Sequence, residues 1–286
     1  MIKKNIVVLY HGDCRDGFSG AWAAWKKFGS KAEYIGLHYM PGNTTDMPRK
    51  IKNKEVYLID VSLKGGKEME DLVKQNKKVV SLDHHADAEK FAKLAHDYIF
   101  DNNRSGATIA WQYFHPKKKT PLFLRYVEDL DIWRKKLPHT FAVSAYNDLF
   151  DFDFRVWDRL VSEVEQSKSR SRLIHSGELI LRYQDKKIQE LVKRSAVKVE
   201  FFGYQTLAVN SPNWASQIGS LLCRILPPIG IIWSQLGNKN LVSLRSDGSA
   251  DVSKIAKHFG GGGHKAAAGF SIPVNKKLPW KYLDEK

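Results

Sequence analysis

Cysteine is scarce in this chain of 286 residues: Cys14 and Cys223 stand far apart and match no ligand spacing. Two such residues supply neither a disulfide framework nor a zinc ribbon. Long apolar runs are missing as well, since no segment reaches the ~18 apolar residues of a membrane span. The opening "MIKKNIVVLYHGD" is too short and ends too polar for a secretory signal. The expectation is a cytoplasmic protein with no membrane partner. Acidic residues are outnumbered, 31 Asp and Glu against 46 Lys and Arg, for a formal charge of +15. That excess favours polyanionic partners by steering and counterion release, but a lysine-rich proteome gives the same bias, so charge alone selects no function. No internal repeat or low-complexity tract is evident. A composition 43% hydrophobic and 12% aromatic is enough for one large domain or two of ordinary size.

The first part of the chain alternates short apolar runs with amphipathic segments, the pattern of βαβ units. "NIVVLY" (5–10), "EVYLID" (55–60) and "VVSLD" (79–83) read as strands buried on both faces, with covering helices at 18–29 and 67–76. The stretch 158–196 carries Ile174, Leu181 and Ile188 at seven-residue spacing with charge on the other faces, and reads as a helical connector. Short strands return from Val197, with a helix at 213–225 between the second and third. The expected fold is therefore α/β: a parallel-sheet domain over 1–150, a helical connector over 151–196 and a smaller α/β domain over 197–286.

Each of the three N-terminal strands runs out into acidic or imidazole side chains. His11, Asp13 and Asp16 follow the first, Asp60 closes the second, and Asp83, His84 and His85 follow the third. In open α/β sheets the carboxyl ends of the strands border the ligand crevice. Taken singly, Asp60 has the bland reading of a cap and His85 that of a satisfied histidine. Three successive strand ends of the same chemistry have no such reading. Clustered carboxylates repel one another, and a pair of divalent cations removes the penalty. Imidazole with carboxylate suits Mn²⁺, Fe²⁺ or Zn²⁺, and Mg²⁺ less well. Such a pair activates water for attack on a phosphoryl centre.

In the last third, "FGGGGHKAAAG" (259–269) follows a predicted helix at 251–259 and leads into small residues that can begin another helix. Gly261, Gly262 and Gly263 would let backbone N–H groups approach an anion, His264 would donate to a phosphate oxygen, and Arg245 would clamp a second contact.

"HGDCRDG" (11–17), "LIDVS" (58–62), "DHH" (83–85) and "GGGGH" (260–264), in this order, resemble the DHH phosphoesterase superfamily with its DHH-associated C-terminal domain. The resemblance runs from about residue 5 to about residue 272. It implies a catalytic first domain, a substrate-binding last domain facing it, and two divalent metal ions, Mn²⁺ before Mg²⁺. It implies His11, Asp13, Asp16, Asp60 and His84 as metal ligands, Asp83 as the group that orients His84, and His85 as a group facing metal and phosphate. The family's further Asp falls on Asp129 or Asp131, and the run D-x-D-x-W favours Asp129. The usual first motif places alternate acids, whereas "DCRD" has an extra residue, so either the loop bulges or Asp13 stands outside the ligand ring.

The activity so implied is hydrolysis of short single-stranded RNA or DNA to mononucleotides, with cyclic dinucleotides, linear dinucleotides and phosphoadenosine phosphate as the alternative substrates. Basic connector residues such as Lys168, Arg170 and Lys187 would track a backbone, and Trp133, Trp157 or Trp214 would stack bases. A homodimer is among the assemblies left open. A nucleic-acid-binding module with a decayed metal site is the rival from another class, and the ligand types retained speak against it.

Overall fold

The computed structural model describes residues 4–40, 44–45, 47–48, 51–63, 66–86 and 88–283. The chain divides into two compact units, 1–181 and 182–286.

The first unit begins with β1 (Ile6–His11), α1 (Arg15–Phe28) and β2 (Ala32–Leu37), followed by the short hairpin of β3 (Tyr39–Met40) and β4 (Thr44–Thr45). It continues through β5 (Glu55–Ile59), α2 (Gly66–Gln75), β6 (Lys78–Asp83), α3 (Glu89–Ala92) and β7 (Asp97–Phe100). The helices α4 (Gly106–Phe114), α5 (Leu122–Asp131), α6 (Thr140–Asn147) and α7 (Phe154–Glu165) precede the long α8 (Ser167–Ser195). β1, β2, β5, β6 and β7 form a parallel sheet in the order β2-β1-β5-β6-β7. Its strands are apolar on both faces because helices cover both. Val8, Tyr57 and Val80 pack with Trp22, Trp111, Phe123 and Trp157 on one side. Val7, Leu9, Leu58 and Val79 pack with Met69 and Leu72 of α2 on the other. The chain steps outward from β1 to β2 and then returns to β5 on the opposite side of β1. The crevice at this switch point opens above the carboxyl ends of β1 and β5.

The second unit contains β8 (Val197–Phe201), β9 (Tyr204–Asn210), α9 (Ala215–Ile225), β10 (Ile229–Leu236) and β11 (Lys239–Ser246). α10 (Val252–His258), β12 (Gly262–His264), β13 (Ala267–Pro273) and β14 (Lys281–Tyr282) complete it. Its sheet runs β12-β13-β11-β10-β9-β8-β14, with β9 and β10 parallel and the other pairs antiparallel. Ile218 and Leu222 of α9 pack on one face with Val209 and Ile232. Val252 and Ile255 of α10 pack on the other with Ile231 and Leu244.

The stretch 158–196, expected as a helical connector, holds two helices, because Gln166 adopts extended backbone (ψ 120°) between α7 and α8. Trp157, Leu160, Val164 and Leu173 are built into the core of the first unit, while Ile188 and Val192 pack with α9. The small-residue stretch after the glycines forms the strand β13, because β11 and β12 offer their backbone hydrogen bonds on either side of it.

Candidate metal centre

β1, β5 and β6 are neighbours, so the residues at their carboxyl ends meet. Asp60 directly follows β5 with a left-handed backbone (φ 56°) that turns the chain off the sheet at once. Its side chain is buried, and its two oxygens face different partners. Oδ2 accepts from the Cys14 thiol at 3.2 Å and lies 3.5 Å from His11 Nδ1. Oδ1 lies 3.2 Å from His84 Nε2 and 3.6 Å from His85 Nδ1.

Asp16, in the first turn of α1, is also buried. Gly106 N donates to its Oδ2 at 2.6 Å and Ala107 N to its Oδ1 at 3.1 Å. The carboxylate therefore sits on the N-terminus of α4, whose orphan amides and dipole favour an anion. Only glycine fits at position 106, because a Cβ there would lie 2.6 Å from Asp60 Cβ and 3.0 Å from Asp16 Oδ2. Asp131, the last residue of α5, brings its Oδ2 to 3.3 Å from His84 Nε2. Asp83 Oδ1 accepts from His84 N (2.7 Å), His85 N (3.0 Å) and His85 Nδ1 (2.9 Å), so the ring it holds is that of His85 rather than that of His84 as expected.

The acids share one low-dielectric space and divide their charge unequally. Burial, reinforced by Asp60 and Asp131, pushes Asp16 well above the usual carboxylate range. Burial and Asp60 push Asp131 up to about 6. Burial acts on Asp60 in the same sense, but the rings of His11, His84 and His85 outweigh it and hold Asp60 below the usual range. The bond to Asp83 leads the causes that raise His85 to about 9.

Asp60 Oδ1 and His84 Nε2 are buried and 3.2 Å apart, yet neither makes a hydrogen bond. Such atoms carry an unmet cost. The donors of His11, Cys14 and Asp60 lie within 4.8 Å of one another, as do those of Asp60, His84 and His85 and those of Asp16, His84 and Asp131. A divalent cation would satisfy the orphaned atoms and neutralise the crowded acids, so the donor set fits one.

Two expected ligands lie elsewhere. Asp129 is buried and turned to the segment after α5, where it accepts from Lys136 N at 2.8 Å, Leu137 N at 3.2 Å and Thr140 Oγ1 at 2.6 Å. Asp131 takes the place expected of it, since two positions along a helix of about 3.6 residues per turn point to opposite sides. Asp13 is exposed and pairs with His38 Nδ1 at 2.5 Å. Across "DCRD" the side chains alternate: Asp13 turns to His38, Cys14 inward, Arg15 outward to Asp148, and Asp16 inward. Beside the cluster, Cys14, Asp16, Tyr126, Asp131, Trp133 and Asn147 border a cavity of about 300 Å³. Trp133 is exposed there, whereas Trp157 is core and donates from Nε1 to Ser19 Oγ.

In the second unit, Arg245 of β11 and His264 of β12 are both register partners of Ala267, one on each side of β13. Directly opposed residues share a face of a sheet, so the two side chains project the same way. Arg245 reaches Ser216 Oγ from Nη2 at 3.0 Å. The glycines do not precede a helix. Gly261 and Gly263 press on β13, where a Cβ would meet Gly269 O at 2.1 Å and Ala267 O at 2.6 Å, while Gly262 is exposed with open space beside it.

Comparison with known proteins adds kinship to this geometry. Residues 207–279 match the DHHA1 domain. An uncharacterized protein, R106, of Acanthamoeba polyphaga mimivirus is 33% identical over 301 residues, covering 98% of this chain and 70% of R106. The oligoribonuclease NrnB of Bacillus subtilis is 24% identical over 293 residues, covering 92% of this chain and 72% of NrnB. The chain belongs to the DHH phosphoesterase superfamily. An exopolyphosphatase-related protein from Bacteroides fragilis shares the fold, at 12% identity and a TM-score of 0.51 over 96% of this chain and 87% of its own.

Within that superfamily's pattern, the strand ends bring together His11, Asp16, Asp60, Asp83, His84 and His85 and leave Asp13 and Asp129 outside. Two contributors escaped the sequence reading. Cys14 carried no recognisable ligand spacing. Gly106 and its N-cap Ser105 were signalled only by "RSGAT", a capping residue ahead of a helix. None of the helices among the described residues is long and apolar enough to cross a membrane.

Proposed function

We propose that this phosphoesterase is a divalent-cation-dependent exonuclease that cleaves short single-stranded oligonucleotides to mononucleotides. Asp60 carries the proposal: one buried carboxylate presents each oxygen to a separate set of donors, the arrangement of a bridging ligand between two cations. His11 with Asp60 would hold one cation, and Asp16, His84, Asp131 and the other oxygen of Asp60 the second. When bound, such ions, Mn²⁺ in first place, supply Lewis acidity and an activated water near neutral pH.

The protein's own groups do the positioning. Asp83 pins the backbone amides of His84 and His85 and orients the His85 imidazole through three accepted hydrogen bonds. His85 is half-exposed, and its Nδ1–H is spent on Asp83, which leaves Nε2–H as donor to a substrate oxygen. Held protonated up to about 9, it can stabilise charge on the scissile phosphate or protonate the leaving oxygen. The aromatic cavity next to Asp16 and Asp131 has room for a nucleobase, with Trp133 available for stacking. Arg245 and His264 project from one face of the second unit's sheet, where they would bind an anion. The likeness to an oligoribonuclease and the +15 charge support an oligonucleotide over a single small nucleotide.

The test is hydrolysis of a ladder of two- to five-nucleotide RNAs with Mn²⁺, against cyclic dinucleotides and phosphoadenosine phosphate, with products resolved by size. Stepwise release of mononucleotides, abolished by chelator and by Asp60→Asn, is expected. Turnover in excess chelator would refute metal dependence, and faster turnover of the small nucleotides would reassign the substrate.

A further inference from the structure

We propose that Cys14 is itself a cation ligand, so that His11, Cys14 and Asp60 Oδ2 form a mixed nitrogen, sulfur and oxygen site. The proposal rests on the metal-dependent reading and asks what this chain does differently within it. Cys14 Sγ lies 3.1 Å from His11 Nδ1 and 3.2 Å from Asp60 Oδ2, inside the triad whose donors converge. Asp60 is buried, and its other oxygen, Oδ1, makes no hydrogen bond although His84 Nε2 lies 3.2 Å away, as expected of an atom kept for a cation.

The ordinary explanation of Cys14 is structural. It is the N-cap of α1 and accepts from Gly17 N at 3.2 Å. Capping alone does not account for a cysteine, because Asn, Asp, Ser and Thr cap best. Nor is Cys14 an inert core residue, since it is only half-buried and two of its neighbours are polar ligand types. The alternation across "DCRD" supplies the rest. The resembled motif places two acids two residues apart, and the inward positions with that spacing here are Cys14 and Asp16. The thiol therefore occupies the place of the first acid, while Asp13 is spent on His38.

On binding, the Sγ–H bond breaks, the proton leaves to solvent, and the sulfur lone pair forms the bond to the cation. No oxidant or reductant is involved. A soft thiolate shifts preference away from Mg²⁺ and towards Zn²⁺, Co²⁺ or Fe²⁺ relative to an all-carboxylate site.

The test uses Co²⁺ as a spectroscopic probe on the full chain freed of metal. Binding to the wild type should produce a near-ultraviolet thiolate-to-cobalt charge-transfer band, retained in Cys223→Ser and lost in Cys14→Ser and Cys14→Asp. Cys14→Asp should still bind Co²⁺, by calorimetry, and should gain in relative preference for Mn²⁺. Co²⁺ bound to the wild type without that band, or a band that survives in Cys14→Ser, would overturn the cysteine assignment and leave the metal site standing. No Co²⁺ or Mn²⁺ binding by the wild type would overturn both. Should Cys14→Ser fold poorly, the wild type and Cys14→Asp decide: the band should be present in the first and absent from the second, and a band in both counts against the proposal.

Discussion

Asp129 and Asp131 stand two residues apart, and exchanging each carboxylate for its amide should give opposite phenotypes. Asp129 accepts three hydrogen bonds in a buried position, from Lys136 N, Leu137 N and Thr140 Oγ1. An Asn can keep one oxygen toward the Leu137 and Thr140 donors, but its NH₂ must then face Lys136 N. One charge-assisted bond is lost and a buried donor is stranded, at about 2–4 kcal/mol. A loss of that size corresponds to melting roughly 5–15 °C lower. Asp131 faces His84 Nε2 at 3.3 Å, and its charge is disfavoured by burial and by Asp60. In Asp131→Asn the cation-free protein should melt no lower than wild type, while Mn²⁺ affinity falls at least about tenfold, the loss that even an outer-sphere partner causes. Thermal unfolding with and without Mn²⁺, paired with calorimetric titration, reads both numbers. The reasoning fails if Asp129→Asn abolishes Mn²⁺ binding at unchanged melting temperature while Asp131→Asn binds normally.

Gly106→Ala should cost about 1–3 kcal/mol by overpacking and abolish hydrolysis, with the circular-dichroism spectrum retained, because its Cβ would displace both Asp60 and Asp16; wild-type turnover would show that the α4 N-terminus does not set the cluster. Trp133→Ala should raise KM for a trinucleotide with kcat little changed, as loss of a stacking platform predicts; an unaltered KM removes this tryptophan from substrate binding. His115 is buried with Nε2 donating to Ala23 O, and burial lowers its affinity for a proton. The unfolded chain then binds the proton that the folded one refuses, so its contribution is present above the unfolded pKa of about 6.5 and is lost as pH falls below it. Urea unfolding between pH 7 and pH 5 should show a steeper loss for wild type than for His115→Gln, and parallel curves would refute it.

The legible part of the fold was the first sheet. Val7, Val8, Leu9 and Val56 to Ile59 are apolar without alternation because both faces are covered, and helices cover both. The polar endings of the same runs gave the location of the cluster. What stayed hidden depends on contacts distant in sequence. Strand β13 is made of alanine and glycine, which carry no strand signal, and forms because β11 and β12 flank it. The run D-x-D-x-W pointed to Asp129, and only the packing of α5 brings Asp131 rather than Asp129 to His84. Cys14 looked isolated because its partners, His11 aside, come from another strand.

The two amides at the head of α4 hold Asp16 with no ion in the cluster. This carboxylate therefore has a fixed seat, and loading an ion resembles dropping a stone into a finished setting rather than drawing loose strands together. Were cations bound there as proposed, exchange of one for another should proceed without unravelling the sheet.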